Sequence, residues 1–241
     1  MQVRIFDTAQ QVSRAAATII AAQLLRKPDS VLGLATGSSP IPTYEALVAL
    51  HREGILDFSQ VTSFNLDEYV GIAPDHICSY HRFMQEHLFA HVNIPPEQVH
   101  IPDGNAADLH AAARAYDAAI LAAGGIDLQL LGIGRNGHIG FNEPGDAFID
   151  DCRVVDLTPD TIDANKRFFD SADDVPKQAV SLGMKSIMNA KQILLIATGK
   201  DKAHAVKMML KDAVSPAVPA TILRMHPNVV VLLDKGAASE L

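Results

Sequence analysis

Short apolar runs and longer stretches of helical spacing alternate along this chain from one end to the other. "VRIF" (3–6) reads as a strand, and Asp7 or Thr8 is placed to cap the long helix beginning "AQQVSRAAATIIAAQLL". "SVLGLAT" (30–36) is continuously apolar, the pattern of a parallel strand buried on both faces. After "GSSP", Ile41, Tyr44, Leu47 and Val48 recur at helical spacing, with prolines in the first turn and Gly54 as the stop. "QVTSFNL" (60–66) predicts a third strand running into "DEYVG", and "SYHRFMQEHLFAHV" and "NAADLHAAARAYDAAILAAGG" predict two helices. Further strands are predicted at "IDLQLLGIG" (126–134), "KQILLIATG" (191–199) and "NVVVLLD" (228–234), with a helix at "KDKAHAVKMMLK". From 155 to 180 the chain is polar and poorly periodic, with Pro159 and Pro176; it reads as a mobile cover over a site or as a long surface connection.

Strands alternating with helices predict one α/β domain built on a mainly parallel sheet with helices on both faces. Ligands of such sheets bind beyond the carboxyl ends of the strands. Four predicted strand ends carry polar, glycine-rich or acidic clusters: "TGSSP", "NLDEY", "GRNGHIGFNEP" and "TGKDK". Their coincidence predicts a single site assembled from segments far apart in sequence.

Composition narrows the partners. With 241 residues, 48% hydrophobic and 20% charged, the chain can build a sizeable core. A net charge of −8 argues against a nucleic-acid surface but leaves room for a small anionic ligand held by local cations. Two cysteines, Cys78 and Cys152, fit a reducing cytosol better than a disulfide framework. "MQVRIFDTAQ" reads as a strand and helix start rather than a secretory leader, and no apolar run approaches the ~20 residues that span a bilayer. Composition leads to the expectation of a cytoplasmic protein with room for a small anionic ligand, no nucleic-acid partner and no membrane partner.

Each cluster has a bland alternative. Thr36, Gly37, Ser38 and Ser39 stand between a strand and a helix start, where free N–H groups and the helix dipole favour a phosphate; the alternative is an ordinary serine cap. Asp67 and Glu68 are neighbours on an extended segment, so their side chains point opposite ways and at most one enters a given pocket. A carboxylate there suits proton abstraction beside a carbonyl; the alternative is a solvated turn acid. Gly132, Gly134 and Gly137 formally spell a dinucleotide loop, but Gly140, Pro144 and Gly145 oppose the helix that such a loop must open. His138 and Glu143 have no second histidine or cysteine at ligand spacing nearby, which argues against a metal. A turn that presents His138 and Glu143 as an oriented acid/base pair is favoured over a structural histidine. Arg167 and Lys202 are separate cations, and Lys202 follows a strand end where a phosphate would lie.

Together "LGLATGSSP", "FNLDEYVG", "SYHRFM", "GIGRNGHIGFNEP", "ANKRFF" and "ATGKDKA" resemble, in order and over nearly the whole chain, the glucosamine-6-phosphate deaminases. The resemblance implies a modified Rossmann-like, doubly wound fold. It also implies conversion of glucosamine 6-phosphate and water to fructose 6-phosphate and ammonia, with no metal or organic cofactor. On that basis Asp67 is the base that carries a proton between C2 and C1, His138 assists ring opening and Glu143 is its partner. Gly37, Ser38, Ser39, Arg167 and Lys202 match the family's phosphate contacts. Asn136 belongs to the same catalytic turn but stands where some members carry aspartate; the amide removes a charge beside His138, so no proton transfer is assigned to it. Longer, hexameric members of the family use a C-terminal extension in an effector site. This chain ends "DKGAASEL" and has Val155 where a cation is expected. The expectation is a monomer or low-order homo-oligomer that N-acetylglucosamine 6-phosphate does not activate. The rival readings are a 6-phosphogluconolactonase, whose pattern runs closer to Asp-Glu-Arg and Ser-Leu-Phe-Pro, and a non-catalytic sugar-phosphate sensor domain.

Overall fold

In the computed structural model, which describes residues 1–166, 169 and 175–241, the predicted alternation becomes a layered α/β structure. Strand β1 (Gln2–Phe6) leads into helix α1 (Ala9–Arg26). Thr8 caps this helix by accepting from the Gln11 N–H, while the Gln11 side chain accepts from the Thr8 N–H. Strand β2 (Val31–Leu34), helix α2 (Ile41–Arg52) and strand β3 (Thr62–Asn65) follow at the predicted places, and Gly54, with φ +74°, stops α2. After a short strand β4 (Asp67–Tyr69) come α3 (Tyr80–His87), β5 (Val99–His100), α4 (Leu109–Ala122) and β6 (Leu128–Leu131). The second half carries β7 (Arg153–Asp156), α5 (Pro159–Asn165), β8 (Gln178–Ser181), α6 (Met184–Met188), β9 (Gln192–Ala197), α7 (Ala203–Lys211) and β10 (Val229–Asp234).

Seven strands pair in parallel in the order β1-β10-β9-β6-β2-β3-β5. Strands β2 and β6 are buried along their whole length, which explains their unbroken apolar sequence. The apolar faces of the flanking helices close over this sheet in one continuous core. All strands point the same way, so their carboxyl ends share one edge. On that edge the four central neighbours β9, β6, β2 and β3 deliver the four polar clusters side by side.

Two features depart from the sequence reading. "DEY" does not prolong β3. At Leu66 the chain donates to Leu34 O in the main sheet and accepts from Leu182 N, then turns into a second, antiparallel sheet of order β4-β8-β7. Its strands β7 and β8 were hidden in the stretch without clear periodicity. Beneath this small sheet lies a separate cluster of Tyr69, Ile72, Phe141, Val155, Leu157 and Ala179. Val155 is packed into that cluster, so the position where a cation was expected serves the core. The span 155–180 is therefore no structureless loop: it holds the end of β7, helix α5 and the start of β8.

Candidate active site

A cavity of about 570 Å³ opens at the carboxyl edge of the main sheet. It is lined by Thr36, Gly37, Ser38 and Ser39 after β2, Asp67 after β3, Gly134 and His138 after β6, and Lys202 after β9. Segments far apart in sequence thus meet around one cavity. Glu143 and Asn136 stand behind His138 rather than in the cavity wall. Arg167 lies outside the described residues.

The loop after β2 carries Thr36, Gly37, Ser38 and Ser39 along the cavity to the start of α2. Gly37 takes φ +93°, a conformation that side-chain-bearing residues rarely adopt. Pro40 occupies the N-cap of α2 with no side-chain cap hydrogen bond, so the bland alternative of a serine cap does not hold. The Ser38 and Ser39 hydroxyls before this helix start and the Lys202 ammonium line the same cavity, an arrangement with the chemistry to receive an anionic group. The Lys202 side chain is mostly buried and lies 3.8 Å from Asp201.

Asp67 and Glu68 diverge as their extended backbone requires. Asp67 faces the cavity, while Glu68 turns to the start of α3, accepting from the N–H groups of Tyr69, Tyr80 and His81 and from the His81 ring. Burial, and then the Glu68 charge, push the Asp67 carboxyl up to about 8. A carboxyl poised there can both take and return a proton near neutral pH.

The turn after β6 is held by glycines and one asparagine. Gly137 and Gly140 have positive φ, and a short bridge pairs Ile139 with Asn142 in place of any helix. Asn142 fixes the turn to the small sheet by donating to Ile139 O and Leu182 O. The His138 ring packs onto Gly134, where a Cβ atom would come within 2.4 Å of it. Its Nδ1 lies 3.3 Å from Glu143 Oε2. Asn136 donates to the same carboxylate oxygen at 2.8 Å and accepts from the His138 backbone N–H. Burial opposes the Glu143 charge, but hydrogen bonds from His138, Thr161 and Asn136 prevail and hold it at about 2. The carboxylate is thus ionised at every working pH. The amide at 136 orients this pair and carries no proton to exchange.

Three further residues enter the site without a warning from periodicity. Tyr80 lines the cavity at the first position of α3 and donates to the Tyr69 hydroxyl at 3.2 Å. Arg135 reaches from the catalytic turn to Asp160 and Asp163 of α5. Thr161, buried on α5, hydrogen-bonds Glu143. "LTPDT", a threonine cap followed by proline, was a legible helix start for α5, and it would have placed Thr161 on the first turn. Among the described residues, no group of three or more histidine, cysteine or acidic side chains converges as a metal site would require.

Comparison with known proteins agrees with this geometry. The family described as glucosamine-6-phosphate isomerases/6-phosphogluconolactonase matches residues 6–232. A relative from Halothermothrix orenii named glucosamine-6-phosphate deaminase is 52% identical over 241 residues, covering all of both chains. One of the same name from Rhodopirellula baltica is 51% identical, covering all of this chain and 96% of its own. A solved structure described as a monomeric glucosamine-6-phosphate deaminase superposes with a TM-score of 0.98 at 46% identity, covering all of both chains. A 6-phosphogluconolactonase from Leishmania guyanensis superposes at 0.79 with 26% identity, covering all of this chain and 98% of its own.

Proposed function

Because the chain belongs to the family of glucosamine-6-phosphate isomerases and 6-phosphogluconolactonases, we propose that this cavity isomerises and deaminates glucosamine 6-phosphate, releasing fructose 6-phosphate and ammonia. The reading rests on one observation: a base of raised pKa, Asp67, and an oriented imidazole, His138, share a cavity with an anion cradle. The phosphate sits at the start of α2 with Lys202, and the open sugar extends toward Asp67. His138, backed by Glu143, takes the C1 hydroxyl proton as the C1–O5 bond breaks; the ring oxygen takes a proton from solvent and C1 becomes the aldehyde. Asp67 then removes the C2 proton; the C2–H electrons form the C1=C2 bond of an enolamine, and the C1=O pair moves to O1, which takes back the proton held by His138. Return of that proton to C1 leaves a C2=N iminium. Water adds to C2, its proton passes to nitrogen, and the C2–N bond breaks to give the ketone and ammonia. C1 is reduced from aldehyde to alcohol as C2 is oxidised to the ketone, so the sequence is redox-neutral within the substrate.

The phosphogluconolactonase alternative shares the fold, but the relatives near 50% identity carry the deaminase name, whereas the lactonase from Leishmania guyanensis stands at 26%. A cytoplasmic monomer is part of the same proposal, supported by the monomeric description of the 46% identical structure. The test is ammonia release from glucosamine 6-phosphate by the wild type and by Asp67→Asn. The variant is expected to lose at least 100-fold in kcat, the scale of a lost general base, with KM little changed. Near-normal kcat would remove Asp67 from the reaction, and hydrolysis of 6-phosphogluconolactone without ammonia release would favour the alternative.

A further inference from the structure

Helix α5 does not belong to the catalytic turn, yet it contributes a hydroxyl to the centre of the His138–Glu143 pair. Thr161 is 1% exposed. Its Oγ1 donates to Glu143 Oε1, stands 3.4 Å from His138 Nδ1, and accepts from the Thr158 hydroxyl at 3.2 Å. We propose that Thr161 is a positioning residue that fixes the tautomer of His138, with the proton on Nδ1 and Nε2 left free to receive one from the substrate; the inference rests on the deaminase reading above.

The direction of each hydrogen bond follows from counting protons. Glu143 is ionised and can only accept. The Thr161 hydroxyl lies against Oε1, while Asn136 reaches Oε2, so the single Thr161 proton goes to Oε1. Having spent that proton, Thr161 Oγ1 can offer His138 only a lone pair. Nδ1 therefore faces two acceptors, Thr161 Oγ1 and Glu143 Oε2, and must carry hydrogen. Among the described residues Nε2 has no protein hydrogen-bond partner, and the ring borders the cavity. Neither acceptor distance is short, so removing the hydroxyl takes one of two acceptors from Nδ1. It also removes the donor that holds the Glu143 carboxylate in its present plane. The same helix is joined to the catalytic turn a second time, by Arg135 Nη2 at 3.0 Å from Asp160 and 3.4 Å from Asp163. Docking of α5 and the state of His138 are thereby coupled through Thr161.

The test compares Thr161→Val, which keeps the branched shape without the hydroxyl, and Thr161→Ser, which keeps the hydroxyl. Ring-nitrogen NMR on histidine-labelled full-length protein identifies His138 by the signal missing from His138→Gln. The wild type and Thr161→Ser are expected to show protonated Nδ1 and unprotonated Nε2. Thr161→Val is expected to populate the opposite tautomer and to lose on the order of 10- to 100-fold in kcat at unchanged KM. If Thr161→Val does not fold, Thr161→Ala is read the same way. An unaltered ring-nitrogen pattern in the hydroxyl-free variant overturns the proposal, as does equal loss in Thr161→Ser. Were the wild type to release no ammonia, the deaminase reading would fail, but the NMR comparison would still decide the role of Thr161.

Discussion

Gly134 carries little chemistry of its own, yet it sets where the imidazole stands. A Cβ built at this position lies 2.4 to 2.5 Å from three atoms of the His138 ring, nearer than any real contact. The ring would have to leave its present seat beside Glu143, because the Gly134 N–H to His138 O bond ties the two backbones together. Gly134→Ala is therefore expected to leave the fold intact and cut kcat on the order of 100-fold, the scale of a misplacement of about 1 Å. Steady-state kinetics beside a thermal melt check this; unchanged kcat would show that the ring does not need its present seat. Single residues were also where the sequence was most legible. His138 and Glu143 stood out by residue type in a glycine-rich turn, and the divergence of Asp67 from Glu68 followed from pleating alone, but only the family resemblance chose Asp67 between the two. Tyr80 and Thr161 were not identifiable in that way. Their relevance comes from where α3 and α5 dock, which no local spacing encodes.

At the scale of elements, strands with two buried faces declared themselves, while the small sheet did not. Strands β7 (RVVD) and β8 (QAVS) have polar residues at their ends, and β7 is partly exposed, so they lack the continuous apolar run that marked β2 or β9. Their pairing with β4 is antiparallel and distant in sequence, and the break at Leu66 leaves no mark on the continuous apolar pattern. The opposite, amino-terminal edge of the main sheet offers an element-scale test. Asp127, just before β6, accepts from the Val31 N–H at the start of β2, from Lys27 after α1 and from Lys191 before β9. One buried carboxylate thus ties three connections together, far from the cavity. Burial works against its charge, but Lys191, Lys27 and the Val31 N–H outweigh it and hold its pKa below the ordinary value. A lowered pKa stabilises the fold above the unfolded value and ceases to do so as pH falls through the folded one. Asp127→Asn is expected to cost about 1–3 kcal/mol at pH 7, with the loss shrinking below about pH 4 and kcat unchanged. Thermal melts across pH settle it; an equal loss at acid pH would mean that shape, not charge, holds the three segments.

For the whole molecule, the proposed monomer follows from resemblance and from Val155, which is spent on the small core rather than on an effector. Hyperbolic kinetics unaltered by N-acetylglucosamine 6-phosphate, with light scattering at the mass of one chain, 25.9 kDa, are the expected results. A sigmoidal response relieved by that compound would overturn both. The same protein must also bear the cost of its base. Asp67 is buried, and burial together with the Glu68 charge raises its carboxyl from an ordinary 3.8 to about 8. A group that holds its proton more tightly when folded favours the fold while protonated. That contribution is complete below about pH 4, declines as pH rises because the unfolded chain ionises first, and is gone above about pH 8. Asp67→Asn cannot ionise, so the melting temperature of the variant minus that of the wild type should climb from pH 4 to pH 8 and then level off. The substitution that abolishes turnover should thus stabilise the fold most at the alkaline end of that window, the trade expected where a catalytic group is kept in an environment that disfavours its charge. A difference that stays flat across the window would place the carboxyl at its ordinary value. Asp67 would then be a weak base toward the C2 proton, and the raised pKa would no longer support its catalytic role.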